Sequence, residues 1–428
     1  MKGFESFVFG EWIRDFDLTP AALREIVSEA RKRTGEARSM SGEALADAVD
    51  ALRSLWEEQG TSRAAFLGAQ PERTFGLSRP MIERGLDHLV RSLHRGVAES
   101  RTALQLGSPR ALRAEPLGVV LHVVSGNVFF GPCESLLAGL LTRNVNLVKR
   151  PGGSADFLSW FFRSLEEAAP RLAATTALLT WPGASEDIET HLGREVDGIV
   201  VAGDMETIAA YRRLASPLTA LVEFGPRVSL AVVSRAALDV VHMDGLARDV
   251  ALWDQLACTA AQCVYVQGET GAIHLAERLA DALKRLARTL PEGEAGLDER
   301  IEIARFRDTA RFAEAMATAK IFCGGTDELT TVVFEKDPCF APSPLRRSVR
   351  VKPYEEMTDL TAALKPLRGI LQTVGLAVNA SERQPYGDCL TALGARRFCA
   401  IGAMNEPAPD SLHDGTMELH RLTRWVEQ

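Results

Sequence analysis

The chain has 428 residues, 46% of them hydrophobic and 25% charged, with a formal net charge of −8. That length points to two or three domains with ample cores, and the composition excludes disordered and fibrous classes. An acidic chain whose arginines are scattered among acids lacks the basic footprint of a nucleic-acid binder. The N-terminal MKGFESFVFGEWIRDFDL mixes acids into its apolar residues and does not read as a signal peptide. No window reaches the roughly 18 to 20 apolar residues a membrane span needs. The seven cysteines include no CxxC pair and no Cys/His set with zinc spacing. A reducing cytoplasm is the compartment they suit.

Residues 1–105 are expected to be a helical lead-in without strands. Leu45, Val49, Leu52 and Trp56 recur at helical steps, and Met81, Leu86, Leu89 and Leu93 make a second apolar face behind Pro80, a residue suited to a first helical turn. From Pro116 the pattern changes. An apolar strand over 118–124 leads through Ser-Gly-Asn into a helix containing 136–141, and a second apolar strand covers 145–148. A helix over 154–169 follows, then the strand patterns TALLTWPG and VDGIVVAGD and the helix METIAAYRRLA. Continuously apolar strands alternating with helices predict a parallel sheet covered on both faces, of the doubly wound, nucleotide-binding type. No GxGxxG accompanies these strands. Further along, a helix over 244–256 runs into CTAAQCVYV, a long helix spans 272–288, PEGEAGLDE reads as a surface loop, and AKIFCGG, LTTVVFEK and SVRVKP read as strands.

Cys258 lies where a helical pattern meets a strand, a loop edge at which a nucleophile becomes reachable. An inert buried cysteine is the competing reading, and it is the preferred one for Cys263, which alternates within the strand. Glu223, at the mouth of an apolar strand before Gly-Pro, is either a proton carrier raised in pKa by apolar surroundings or a salt-bridged strand-end residue. Asn127 either tolerates a left-handed turn or donates its amide to an oxyanion. Lys149 and Arg150, directly after a strand, either meet phosphate or ribose or lie on the surface. His413-Asp414-Gly415 is either a catalytic histidine or a turn, and with no metal spacing nearby the turn is the preferred reading.

In this order the features resemble the aldehyde dehydrogenase superfamily, and within it the LuxC-type acyl-CoA reductases. HVVSGNVF (122–129), LLTRNVNLVKRP (140–151), EFGPRVSLAVVS (223–234), DVALWDQLACTAAQ (249–262) and the terminal HDG with LHRLTRWV carry the likeness. It implies an aldehyde dehydrogenase-like fold of two doubly wound α/β domains: a helical segment 1–105, an NAD(P)-binding domain 106–225, a catalytic domain 226–400 and a segment 401–428 that packs back or oligomerises. It implies Cys258 as nucleophile, Asn127 with the Cys258 backbone N–H as oxyanion hole, and Glu223 as general acid/base. Lys149 matches the lysine at the adenosine ribose, Gly203 the glycine opening the helix under the pyrophosphate, and Ser125, Arg150 and Asp204 fall among the cofactor contacts.

Three departures stand out. Asp204 replaces the serine usual after that glycine and brings an anion to where phosphate should lie. Pro338-Cys339-Phe340-Ala341-Pro342 lacks the glutamate that holds the nicotinamide ribose. Gly152 stands where NAD-preferring members carry a ribose-binding glutamate, and Arg150 with no acid favours a 2′-phosphate, hence NADPH with NADH as the alternative. The resemblance implies reduction of an acyl thioester, carried on CoA or a carrier protein, to an aldehyde by a cytoplasmic homo-oligomer, with an acyltransferase or synthetase as a partner. An aldehyde dehydrogenase running in the oxidative direction and a non-catalytic acyl-binding module are the rival readings.

Overall fold

Thr19 and Ser41 open the first two long helices, Pro20–Ser39 and Gly42–Trp56, by accepting hydrogen bonds from the backbone N–H of Ala22 at 3.2 Å and of Ala44 at 3.1 Å. Leu45, Val49, Leu52 and Trp56 are buried, as are Met81, Leu86 and Leu89 of the helix Arg79–Ser92 and Leu93 just beyond it. The N-terminal stretch departs from the expected all-helical lead-in: Ser6–Val8 and Glu11–Ile13 form an antiparallel hairpin on the edge of a sheet. Phe9 and Gly10, both with positive φ, make its turn, and a three-residue strand is too short to leave a period-two signal. The computed structural model describes residues 5–107, 112–152, 156–182, 185–323 and 328–427.

The chain divides into two compact units. One comprises Met1–Phe75, Glu83–Gly225 and Ala408–Gln428, the other Gly76–Ile82 and Pro226–Pro407. The helices of the first hundred residues therefore belong largely to the first unit rather than standing as a segment of their own.

The first unit's strands are β1 (Ser6–Val8), β2 (Glu11–Ile13), β3 (Leu112–Pro116), β4 (Val119–Val123), β5 (Val145–Lys149), β6 (Thr176–Leu179), β7 (Gly198–Ala202) and β8 (Ala220–Phe224). Their main sheet runs β2-β1-β6-β5-β4-β7-β8, and the five strands from β6 to β8 are parallel. β4 is buried at every position. The polar residue within it, His122, is satisfied by Ser135 Oγ at 2.9 Å and Asn146 Oδ1 at 3.0 Å, and burial, opposed by the Asn146 bond, lowers its pKa to about 4. Gly139 lets this pair close up, because a Cβ there would lie 2.0 Å from Asn146 Oδ1. The helix predicted over 154–169 is Phe157–Ala168; Ser154 lies outside the described residues.

The second unit's strands are β9 (Val228–Val233), β10 (Ala261–Gln267), β11 (Ala319–Cys323), β12 (Thr331–Glu335), β13 (Ser348–Tyr354), β14 (Leu371–Ala377) and β15 (Arg397–Ala400), in the order β11-β12-β13-β10-β9-β14-β15. Only the edge strand β11 is antiparallel among them. Leu230, Val232, Cys263, Tyr265, Leu360 and Val374 share a core on this sheet. Cys263 is fully buried and its thiol is pushed up to about 12 by that burial. The PEGEAGLDE loop ends sooner than expected, because Leu297 begins a 19-residue helix, Leu297–Ala315, with Glu299 reaching back to the Gly296 N–H. A last strand, β16 (Thr423–Glu427), pairs with β3 in the first unit.

Candidate active site

In the first unit the chain steps outward from β4 to β5 to β6, then continues on the other side of β4 with β7 and β8. The reversal between β4 and β7 is a topological switch point, beyond whose carboxyl ends open α/β sheets bind ligands. Ser125 and Asn127 follow β4, Lys149 ends β5, Gly203 and Asp204 follow β7, and Glu223 sits at the end of β8. Parallel pairing thus brings to one sheet edge residues scattered over a hundred positions.

Each behaves differently there. Ser125 and Asn127 are exposed, and Asn127 does not adopt positive φ, so the left-handed-turn reading falls away. Lys149 Nζ donates to Glu189 Oε1 at 2.8 Å and lies 4.9 Å from the centre of the Trp181 ring. The same oxygen accepts from Trp181 Nε1 at 3.2 Å and from the Tyr211 hydroxyl at 3.0 Å. Burial works against the Glu189 carboxylate, but the Lys149 ammonium and the other two donors outweigh it and hold its pKa below the ordinary value. Asp204 caps the helix Met205–Leu214, accepting from Thr207 N at 2.7 Å, and that amide bond lowers its pKa. The helix N-terminus is thereby occupied by the chain's own anion.

Two expectations change. Arg150 is not poised for a cofactor phosphate: it is buried, bonded to Thr180 Oγ1 at 3.0 Å, Ser159 Oγ at 2.8 Å and the Glu5 carbonyl at 2.7 Å, and paired with Asp156. Its guanidinium ties the N-terminal hairpin to the sheet, and burial depresses its pKa. Glu223 does not sit in apolar surroundings. Both its carboxylate oxygens pair with Arg212, Nη2 to Oε2 at 2.8 Å, which is the salt-bridged alternative.

His413-Asp414-Gly415 is a turn, as expected. Asp414 and Gly415 have positive φ, Thr416 N donates to the His413 carbonyl at 2.9 Å, and the imidazole stacks on Phe224 at 4.1 Å.

In the second unit the helix expected over 244–256 stops at Ala251, and Trp253, Asp254 and Gln255 take left-handed φ of 50°, 50° and 64°. Facing them, Leu345, Arg346 and Arg347 do the same, at 66°, 50° and 62°. Each such residue costs about 1 to 2 kcal/mol, so the surroundings must over-determine the shape. They do: Arg347 Nε donates to Asp254 Oδ1 at 2.7 Å with both side chains fully buried. Its other nitrogens reach the Leu290 and Pro291 carbonyls, Arg346 N donates to the Asp254 carbonyl at 3.0 Å, and Asp254 Oδ2 accepts from Gly293 N at 2.8 Å.

This knot delivers the chain into the turn before β10, on which Cys258 is exposed. Three contacts fix that turn. Ser229 Oγ donates to the Cys258 carbonyl at 2.7 Å, Gln255 Nε2 to the Ala261 carbonyl at 2.8 Å, and Thr259 Oγ1 to Asn405 Oδ1 at 2.9 Å. Asn405 is held in turn by the Asp249 carbonyl, and the Asp249 carboxylate accepts from Gly402 N and Met404 N. Burial raises the Asp249 pKa to about 6 against these two amide bonds. The DVALWDQLAC segment is distinctive in sequence, but these roles are not legible in it; an acid and an amide inside an apolar run are the available signal. Cys339, where the usual motif glutamate is absent, is exposed, and its N–H bonds Asp337 at 3.0 Å.

The sequence model of the acyl-CoA reductase (LuxC) family matches residues 39–425. The chain belongs to this family. Relatives named long-chain acyl-protein thioester reductase are 26% identical over 319 residues in Aliivibrio fischeri and 25% identical over 320 in Vibrio harveyi. Each alignment covers 74% of this chain but 64% and 65% of those proteins, so the chain spans just under two thirds of their length. Among solved structures, a salicylaldehyde dehydrogenase from Pseudomonas putida G7 aligns with a TM-score of 0.78 at 14% identity, covering 99% of this chain and 97% of that one. Betaine aldehyde dehydrogenase from Staphylococcus aureus in complex with NAD+ aligns at 0.73 and 17%, covering 98% and 93%. The fold of this family member is that of the aldehyde dehydrogenases. Among the described residues no helix is long and apolar enough to cross a membrane, and no group of three or more His, Cys, Asp or Glu could hold a metal ion.

Proposed function

We propose that the protein reduces an acyl thioester to an aldehyde through an acyl group held on Cys258, using a nicotinamide cofactor. The observation that carries this reading is the exposed Cys258 on a turn held by three hydrogen bonds from residues of its own unit. An inert structural cysteine looks like Cys263, inside a strand and fully buried.

The residues present fit the adenosine-ribose end of a dinucleotide, with Lys149 and Glu189 at the end of the strand next to the switch point. They do not offer the helix Met205–Leu214 to the pyrophosphate, because Asp204 already caps it. The NADPH preference argued from Arg150 loses its support with that side chain buried. When bound, the cofactor supplies a hydride.

In this reading the Cys258 thiolate attacks the thioester carbonyl carbon, a C–S bond forms, and the carrier thiol leaves with a proton. The Asn127 amide and the Cys258 N–H are the donors assigned to the developing oxyanion, each worth roughly 3 to 4 kcal/mol in related chemistry. After reduction at the acyl carbon, collapse of the resulting thiohemiacetal breaks its bond to Sγ and releases aldehyde and Cys258. Glu223 is the assigned proton carrier, and that role requires the Arg212 pair to open. The acyl donor is a CoA or carrier-protein thioester.

Intact-mass spectrometry after incubation with a series of acyl-CoAs tests the reading. The expected result is an acyl adduct on wild type that is absent in Cys258→Ala and is discharged as aldehyde when NADPH or NADH is added. An adduct that persists in Cys258→Ala, or aldehyde oxidation as the dominant activity, overturns it.

A further inference from the structure

At the carboxyl end of the second strand from a dinucleotide switch point, nucleotide-binding sheets place the group that reads the adenosine ribose: an acid for two hydroxyls, a cation for a 2′-phosphate. Here that strand is β5, and it ends in Lys149, a cation that by itself would welcome the phosphate. The fold cancels it. Glu189, forty residues on in the helix Glu186–Glu195, presents Oε1 to the ammonium at 2.8 Å, and the carboxylate is steadied by Trp181 at 3.2 Å and Tyr211 at 3.0 Å. Arg150, the neighbouring cation, is buried with its bonds to Thr180, Ser159, the Glu5 carbonyl and Asp156.

We infer that Glu189 is a specificity-determining residue for the cofactor, acting against the 2′-phosphate of NADPH and in favour of the free ribose hydroxyls of NADH; this rests on the nicotinamide-dependent reading above. Two effects combine. The carboxylate neutralises Lys149, and it is itself a hydrogen-bond acceptor for a ribose hydroxyl and a like charge for a phosphate.

Calorimetric titration of NADPH and of NADH measures binding without turnover. In Glu189→Gln, which keeps an oxygen acceptor for Trp181 and Tyr211, the ratio of NADPH to NADH affinity is expected to rise about tenfold or more over wild type. In Lys149→Gln, which leaves the carboxylate unopposed, the ratio falls by a similar factor. A Glu189→Gln ratio within about twofold of wild type overturns the inference, as does an unchanged ratio in Lys149→Gln should the first variant lose its circular-dichroism signature of folding. Wild-type protein that binds neither nucleotide overturns the nicotinamide reading and this inference with it. Binding of both with an unmoved ratio overturns this inference alone.

Discussion

Asp254→Asn removes one negative charge from the knot that leads into the Cys258 turn while leaving its backbone undisturbed, because Asn tolerates the left-handed φ of 50° as readily as Asp. What it strands is Arg347, whose guanidinium is fully buried and whose other contacts, the Leu290 and Pro291 carbonyls, are uncharged. Breaking a buried ion pair by removing one partner costs roughly 3 to 5 kcal/mol; the single Asn oxygen keeps only one of the two donors, Arg347 Nε or Gly293 N, while its NH2 faces the other, so a loss of at least about 3 kcal/mol applies. For a unit of this size that is a fall of about 6 to 12 °C in the melting temperature. Urea titration and calorimetry of Asp254→Asn, Arg347→Met and the double variant Asp254→Leu/Arg347→Met measure it. The double variant should recover part of the loss, apart from the strain of Leu at positive φ. A single-variant loss under about 1 kcal/mol would show that the ion pair does not hold these two left-handed runs together.

His122 makes stability depend on pH in one direction and Asp249 in the other. The His122 pKa is about 4 in the fold and about 6.5 unfolded, so the unfolded chain takes up its proton first. Stability from His122 is full above about pH 6.5 and declines by about 3 kcal/mol on acidification toward 4, a slope that is absent from His122→Asn. Asp249, raised to about 6, contributes stability that is complete below the unfolded carboxyl pKa and is lost as pH rises through 6. The Asp249→Asn curve, subtracted from wild type, should slope the opposite way to the His122 difference over the same range. Gly139→Ala places a methyl against two hydrogen-bonded buried side chains, at 2.0 Å from Asn146 Oδ1 and 2.8 Å from His122 Nε2. A loss of about 3 kcal/mol is expected in denaturant melts, and one within 0.5 kcal/mol of zero would contradict the packing. Asn405→Ala takes the acceptor from Thr259 and should lower kcat about five- to tenfold with KM little changed. An equal loss in KM would mean that Asn405 acts on substrate binding instead.

Much of the fold was legible because apolar periodicity is local. VVLHV, VNLVK and GIVVA announce strands buried on both faces, and the stripes through Leu45 and Met81 announce helices. The N-terminal hairpin and the helix Leu297–Ala315 escaped, the first because three residues cannot show alternation, the second because its buried residues are few, Ile303, Phe306, Arg307 and Ala310. At the candidate site, Cys258, Asn127, Lys149 and Glu223 could be named from residue order and resemblance. Their partners could not, since no spacing rule links Lys149 to Glu189 or Thr259 to Asn405.

By itself the sequence determined the alternation of strands and helices and the order in which the candidate site residues fall along the chain. It could not decide what each charge was worth. Arg150 became a structural tie, Lys149 a neutralised cation and Glu223 half of an ion pair only once the chain had folded. Charge, hydrogen bonding and solvent access depend on distances in space, and those distances are set by strand order and burial rather than by separation along the chain.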